Sequence, residues 1–245
     1  MITPDEIART DPGFARIISR FEAEVREHSG LDERSRALCV LAALIALDET
    51  DEFVLRLGEA LNGVLTPFEA REVVYQSAAY CGTPRAKRFL AAANGIFASR
   101  GVALPLPTQS PGGDENRREA GTRVQIALFG EDMADFWQSG PEETRCINRW
   151  LTEHCYGDFY ARPGLSLSDR ELIAFSFLTA LGEDSAQMKA RVVAGYAAGN
   201  DRAVLIAAIV QLLPFVGWPR ALSVLAVLNE TDQELNDDGY DDDPF

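Results

Sequence analysis

Residues 80–86 read YCGTPRA and residues 215–221 read FVGWPRA, 135 positions apart. In each stretch a glycine able to stop a helix stands two residues before a proline able to start the next. The match extends outward at the same offset. Arg56, Gln76, Leu90, Ala91 and Asn94 pair with Arg191, Gln211, Leu225, Ala226 and Asn229. Upstream of a one-residue indel the offset is 134, where Arg36, Leu38, Leu44, Ala46 and Leu47 pair with Arg170, Leu172, Leu178, Ala180 and Leu181. Residues 31–94 and 165–229 therefore read as two copies of one unit.

The unit is helical. Phe14, Ile17, Ile18, Phe21 and Val25 fall on one face of a helix over 12–28. Residues 35–47 (SRALCVLAALIAL) are apolar nearly all round, which predicts a helix buried on most sides. Further helices are expected at 51–62, from Pro67 to about Gly82, and from Pro84 to Arg100. In the second half they are expected at 119–138, 141–156, 172–181, 184–198, 201–213 and 218–229. Thr66 with Glu69, and Ser168 with Glu171, read as capping boxes, and Asn200 as an N-cap. The fold class is all-α, two helical repeats related by pseudo-twofold symmetry. The first repeat takes residues 1–100 and the second 119–230. Residues 101–118, with three prolines and three glycines, read as a linker or surface loop. The tail 231–245 has seven acids and no base, and its composition predicts disorder.

Thirty-eight acids against 23 bases give a net charge of −15. That surplus opposes binding to nucleic acid, whose phosphates need clustered Lys and Arg, and to an anionic membrane surface. The start MITPDEIART has no signal-peptide pattern, and no uninterrupted apolar run is long enough to span a bilayer, so a cytoplasmic location is expected. Cys39, Cys81, Cys146 and Cys155 form neither a CxxC pair nor a zinc spacing and read as ordinary packed thiols.

The stretches GDFYARPGLSLSDRELIAF (157–175), QMKARVVAGYAAGN (187–200) and IVQLLPFVGWPRALSVLAVLNE (209–230), with LDERSRALCVLAAL (31–44) and LRLGEALNGVLTPFEAREVVYQSAAYCGTPRA (55–86), resemble the carboxymuconolactone decarboxylase family, which includes the alkylhydroperoxidase D-like proteins. The resemblance implies an all-helical fold and a homo-oligomer, a trimer or larger. It also implies a peroxidase branch, which uses a CxxC pair, a following His and an earlier Glu, and a decarboxylase branch, which uses His as acid and base. Here the His position falls on Arg56 and Arg191, and the cysteine positions fall near Glu49, Glu52, Asp184 and Gln187. The family Glu is Glu171 in the second copy and Ala37 in the first. Guanidinium does not release its proton, so it holds anions rather than moving protons.

Each candidate has two readings. Arg56 and Arg191 either clamp a small anion or form internal ion pairs. Glu171 is an acid/base group or a helix cap. His154 is a displaced base over the second-repeat pocket or a surface residue, and His28 only favours its helix end. Trp218 lines a pocket or anchors packing, Gln187 sits where a substrate contact is expected, and Cys81 packs. The leading expectation is a lyase, decarboxylase or isomerase that needs no cofactor and acts on a small anionic compound, with Arg191 as clamp and Glu171 as acid/base. The alternatives are a non-catalytic binding or assembly module and, from the family alone, a peroxiredoxin-like activity.

Overall fold

The computed structural model describes residues 4–108, 116–183 and 186–238. The first half holds α1 (Pro4–Thr10), α2 (Pro12–His28), α3 (Glu33–Leu47), α4 (Thr50–Ala60), α5 (Pro67–Cys81) and α6 (Thr83–Ser99). The second holds α7 (Arg117–Phe129), two short 3-10 turns, α8 (Arg145–Trp150), a π-helix (Leu151–Tyr160), α9 (Leu167–Leu181), α10 (Ala186–Ala197) and α11 (Arg202–Asp238).

The duplication is visible in the backbone. Gly82 (φ 83°, ψ 152°) and Gly217 (φ 74°, ψ 168°) take the same positive-φ conformation, which a side chain would strain. At Gly217 the long α11 is broken, so its first part answers to α5 and its second to α6. Arg85 donates to the Ala46 carbonyl at 2.5 Å beyond the first corner, and Arg220 packs against Gly182 beyond the second. The helices α3 and α9, apolar on nearly every side, are buried along most of their length and pack on each other at the centre. Around them the halves exchange partners. The first half's α5 packs on α9 and the π-helix, and the second half's α11 packs on α3 and α2. Each half is thus completed by a helix from the other.

Local chemistry sets the helix starts. Thr66 and Glu69 form the expected capping box. The second box is not Ser168 with Glu171 but Ser166 with Asp169, whose carboxylate accepts from the Ser166 amide at 3.0 Å. Ser168 instead donates to Asn200 at 2.8 Å. Asn200 is thereby drawn inward, and Asp201 caps α11 by accepting from the Val204 amide at 2.9 Å.

Residues 151–160 widen from α to π geometry, with the Ala161 amide donating back to the Tyr156 carbonyl at 2.9 Å. Here α7 lies against the π-helix backbone to backbone. A methyl at Gly121 would overlap the Thr152 carbonyl, and one at Gly157 the Arg117 carbonyl.

Part of the proline-rich connection is fastened to the core. Leu106 is buried, and Arg71 donates to the carbonyls of Leu106 and Pro107 at 3.2 and 3.1 Å. Residues 109–115 lie outside the described residues. The acidic tail departs from the expected disorder over 231–238, which continue α11. Composition misled because the counter-charges lie elsewhere in the chain. Arg202 pairs with Asp232, Lys189 pairs with Glu234 at 2.6 Å, and the Tyr196 hydroxyl donates to Asp232 at 2.5 Å. The rest of the tail, 239–245, is outside the described residues. By length and hydropathy α11 also matches a membrane span. Its apolar residues Leu205, Ala208, Leu212, Val224 and Leu228 are buried in the core, while Trp218 and Leu222 are exposed.

Candidate functional site

In the second half the structure brings together Glu171 from α9 and Arg191 from α10. Both are buried, and Arg191 Nη1 lies 3.0 Å from each carboxylate oxygen. Glu171 does not cap its helix. The π-helix presents Tyr156 and Tyr160 one turn apart. The Tyr156 hydroxyl lies 3.1 Å from Arg191 Nη2 and the Tyr160 hydroxyl 3.4 Å from Nη1. Tyr80, from α5 of the first half, shares a 2.5 Å hydrogen bond with Tyr160. Phe129 lies under the guanidinium, 5.2 Å from ring centroid to Cζ.

Burial pushes the Glu171 carboxyl above its usual range, while Arg191 and a hydrogen bond from Tyr160 pull it back. Burial likewise raises the Tyr156 phenol to about 12, against the pull of Arg191. The neighbouring Cys155 thiol is also pushed up to about 12 by burial, and Cys81 to about 11. These are the opposite of the low-pKa thiolate that peroxide reduction needs. The second-half site is therefore a filled, hydrogen-bonded ion pair: a ligand reaching Glu171 has to displace Tyr160 and Arg191 first.

The other second-half candidates stand apart from this group. His154 is half exposed, shares a 3.0 Å hydrogen bond with Asp158 and meets the Phe159 ring edge-on. Gln187 is on the surface. Trp218 is exposed and packs on Phe21 of α2, with 6.0 Å between centroids.

The first half differs. At the place that answers to Glu171 and Arg191 lies an open cleft of about 550 Å³ between α2, α3, α4 and α11. Ala37 takes the place of Glu171, so no carboxylate from α3 meets Arg56. Arg56 instead donates to Glu52 at 2.8 Å and Glu22 at 3.3 Å, and lies 5.8 Å from the centre of the Phe215 ring. Glu22 replaces Tyr156 and Phe215 replaces Tyr80, by the same offsets. Arg26, Arg36 and Gln211 complete the polar wall. Of these residues, the sequence marks Arg56 as a candidate anion clamp and places Ala37 and Glu52 at family positions. Arg36 and Gln211 stood in the repeat alignment as matched pairs, which was the available signal. The three tyrosines carried none, because their role depends on the π-helix and on the crossing of α5.

The carboxymuconolactone decarboxylase family model matches residues 12–95 and 147–230. A 4-carboxymuconolactone decarboxylase from Acinetobacter baylyi is 32% identical over 91 residues, covering 37% of this chain and 68% of that protein. A nitrosuccinic acid decarboxylase from Metarhizium robertsii is 36% identical over 75 residues, covering 31% of this chain and 52% of that protein. Two family matches covering most of the chain, set on two helical units with the same glycine-proline corner, place the protein: it belongs to the carboxymuconolactone decarboxylase family.

Proposed function

We propose that the protein is a decarboxylase-like lyase acting on a small organic acid, and that the first-half cleft is its working site. One observation carries this reading. The same structural position is sealed by Arg191, Glu171 and tyrosines in the second half and is open, with Arg56 in its wall, in the first. Both named relatives are decarboxylases, which supports the reaction class.

The chemistry asks for no cofactor if the substrate carries its own electron sink. The C–C bond to the carboxylate breaks and CO₂ leaves. The electron pair moves into an adjacent carbonyl or nitro group, and a proton replaces CO₂ on carbon. Arg56 supplies a permanent positive charge where the oxygen of that group becomes negative. It cannot deliver the proton, which comes from solvent in the open cleft by way of Glu22 or Glu59, both of which line it.

The filled second-half site favours one competing reading, a binding or assembly module without turnover. Release of ¹³CO₂ from labelled 4-carboxymuconolactone, nitrosuccinic acid and a set of β-keto acids separates the two. Turnover in the native protein and its loss in Arg56→Met are expected. No CO₂ from any of these acids, or undiminished release by Arg56→Met, overturns the proposal.

A further inference from the structure

The two halves treat one matched pair of residues differently. In the second half Arg170 is fully buried. Its Nη1 donates to Gln76 Oε1 at 3.2 Å, and its Nη2 reaches Glu72 at 3.2 Å and the Arg162 carbonyl at 2.7 Å. The counterparts in the first half are Arg36 and Gln211, and that bond is not made there. Arg36 Nη1 and Nε and Gln211 Oε1 are buried without a hydrogen-bond partner. Arg170 Nε is also unpartnered, so the difference lies in Nη1 and the glutamine oxygen. Arg36 Nη2 is held by the carbonyls of Arg26 and Leu31 at 3.2 and 3.1 Å, which fixes the guanidinium in place. Glu33 is 3.6 Å from Nη1, beyond hydrogen-bond length, and is largely exposed. At the position of Glu72 the first half has Ala207. Gln211 is 7% exposed, and both it and Arg36 line the cleft.

A buried donor or acceptor left unpaired is unfavourable, so two on residues that line one cleft call for an explanation. Their chemistry is complementary to a definite group: spare N–H donors and a spare acceptor oxygen on residues of one cleft. We infer that the ligand of this cleft supplies the carboxylate the first half lacks. It places that group on Arg36 Nη1, the nitrogen whose counterpart on Arg170 is taken up by Gln76, and an adjacent hydroxyl or enol donates to Gln211 Oε1. The ligand class is a small hydroxy-carboxylate. This rests on the first-half cleft being the substrate site, and it adds which acid that site takes and which residues select it.

Calorimetric titration with malate, succinate and malamide tests it. Malate binds. Succinate, which lacks the hydroxyl, binds about tenfold more weakly, the equivalent of ~1.4 kcal/mol. Malamide, which lacks the carboxylates, does not bind measurably. Ala207→Glu installs the second half's own carboxylate and abolishes malate binding without lowering the melting temperature. Arg36→Met loses malate binding as well. No malate binding at millimolar concentration, equal binding of malate and malamide, or unchanged malate affinity in a folded Ala207→Glu protein each overturns the inference. CO₂ release that persists in Ala207→Glu also sinks it and leaves the proposed reaction standing. Malate binding in a protein that releases no CO₂ sinks the reaction and leaves the ligand assignment standing.

Discussion

Glu72→Gln tests how the second half is held closed. Glu72 is fully buried, and three guanidiniums surround it. Arg162 approaches at 2.9–3.2 Å through three contacts, Arg170 at 3.2 Å and Arg71 at 3.8 Å. It joins α5 of the first half to α9 of the second, so the loss acts across the repeat boundary. Glutamine has the same size, so no cavity forms and the change isolates the charge. Removing one partner of a buried ion pair costs about 3–5 kcal/mol. For a chain of this length that is a fall of roughly 6–20 °C in melting temperature, at about 2–4 °C per kcal/mol. A substitution in the corresponding cluster of the first half, Arg36→Met, has a different balance. It loses two bonds to carbonyls, about 0.5–1.5 kcal/mol each, and removes two unpaired donors whose burial was unfavourable by about as much. Its net effect is within about 1 kcal/mol of zero. Thermal and urea unfolding followed by circular dichroism measures both. A Glu72→Gln protein within ~1 kcal/mol of the parent, or an Arg36→Met protein that loses more than Glu72→Gln, refutes the view that one cluster is satisfied and the other is not.

Gly121→Ala and Gly157→Ala each force a methyl into a backbone carbonyl across the contact between α7 and the π-helix; each lowers unfolding free energy by at least about 2 kcal/mol, read by urea melts, and an unchanged midpoint contradicts the close approach. Arg34 ties the halves together by donating to Glu69 and Asp169 at 2.7 Å each. Burial raises both carboxyls, but bonds from Arg34 and the helix caps outweigh it and hold them below their ordinary values. A carboxylate with a lowered folded pKa stabilises above its unfolded value and loses that contribution as pH falls through the folded one. Stability therefore drops below about pH 4.5, and Arg34→Met flattens the drop; parallel acid titrations of the two proteins decide it. Arg191→Met leaves Glu171 buried without a counter-charge, and burial already raises its carboxyl. A raised folded pKa contributes stability below the unfolded value and loses it as pH rises, so this variant is more impaired at pH 8 than at pH 5; equal losses at both pH values, measured by urea melts, would falsify that assignment.

The duplication, the all-helical class and the glycine-proline corners were legible because they rest on local signals that repeat. Gly82 and Gly217 adopt one backbone conformation, and the indel falls between α9 and α10, where the two copies differ. The capping error at α9 shows the limit of local pattern. Ser168 and Glu171 have the right spacing, but Ser166 starts the helix two residues earlier, which turns Glu171 to the interior. The π-helix was not legible, and neither was the close approach of Gly121 to it, which joins residues 36 positions apart in sequence. For the candidate site, the arginines were visible as substitutions at a family position. What surrounds them was not: Tyr80 reaches the second-half site, and Phe215 and Gln211 reach the first, by helices that cross between the halves.

That crossing explains why two copies in one chain can do what a symmetric pair cannot. In a dimer of identical units, every substitution appears at both sites. A glutamate at the Glu72 position would close both clefts, and an alanine would leave two buried arginines unpaired with nothing to hold the boundary. One chain carries Glu72 in α5 and Ala207 in α11, so each choice is made once. The same separation applies to Tyr80 against Phe215 and Tyr156 against Glu22. In every case the side chain that fills belongs to the second-half site, and its counterpart leaves the first-half cleft open. The unpaired groups of the open half are tolerable because the closed half fixes the helices they stand on: α9, held by Glu72 through Arg170, packs along α3, which carries Arg36. Stability and access to ligand, which compete at a single symmetric site, are thereby placed at different ends of the same helix pair.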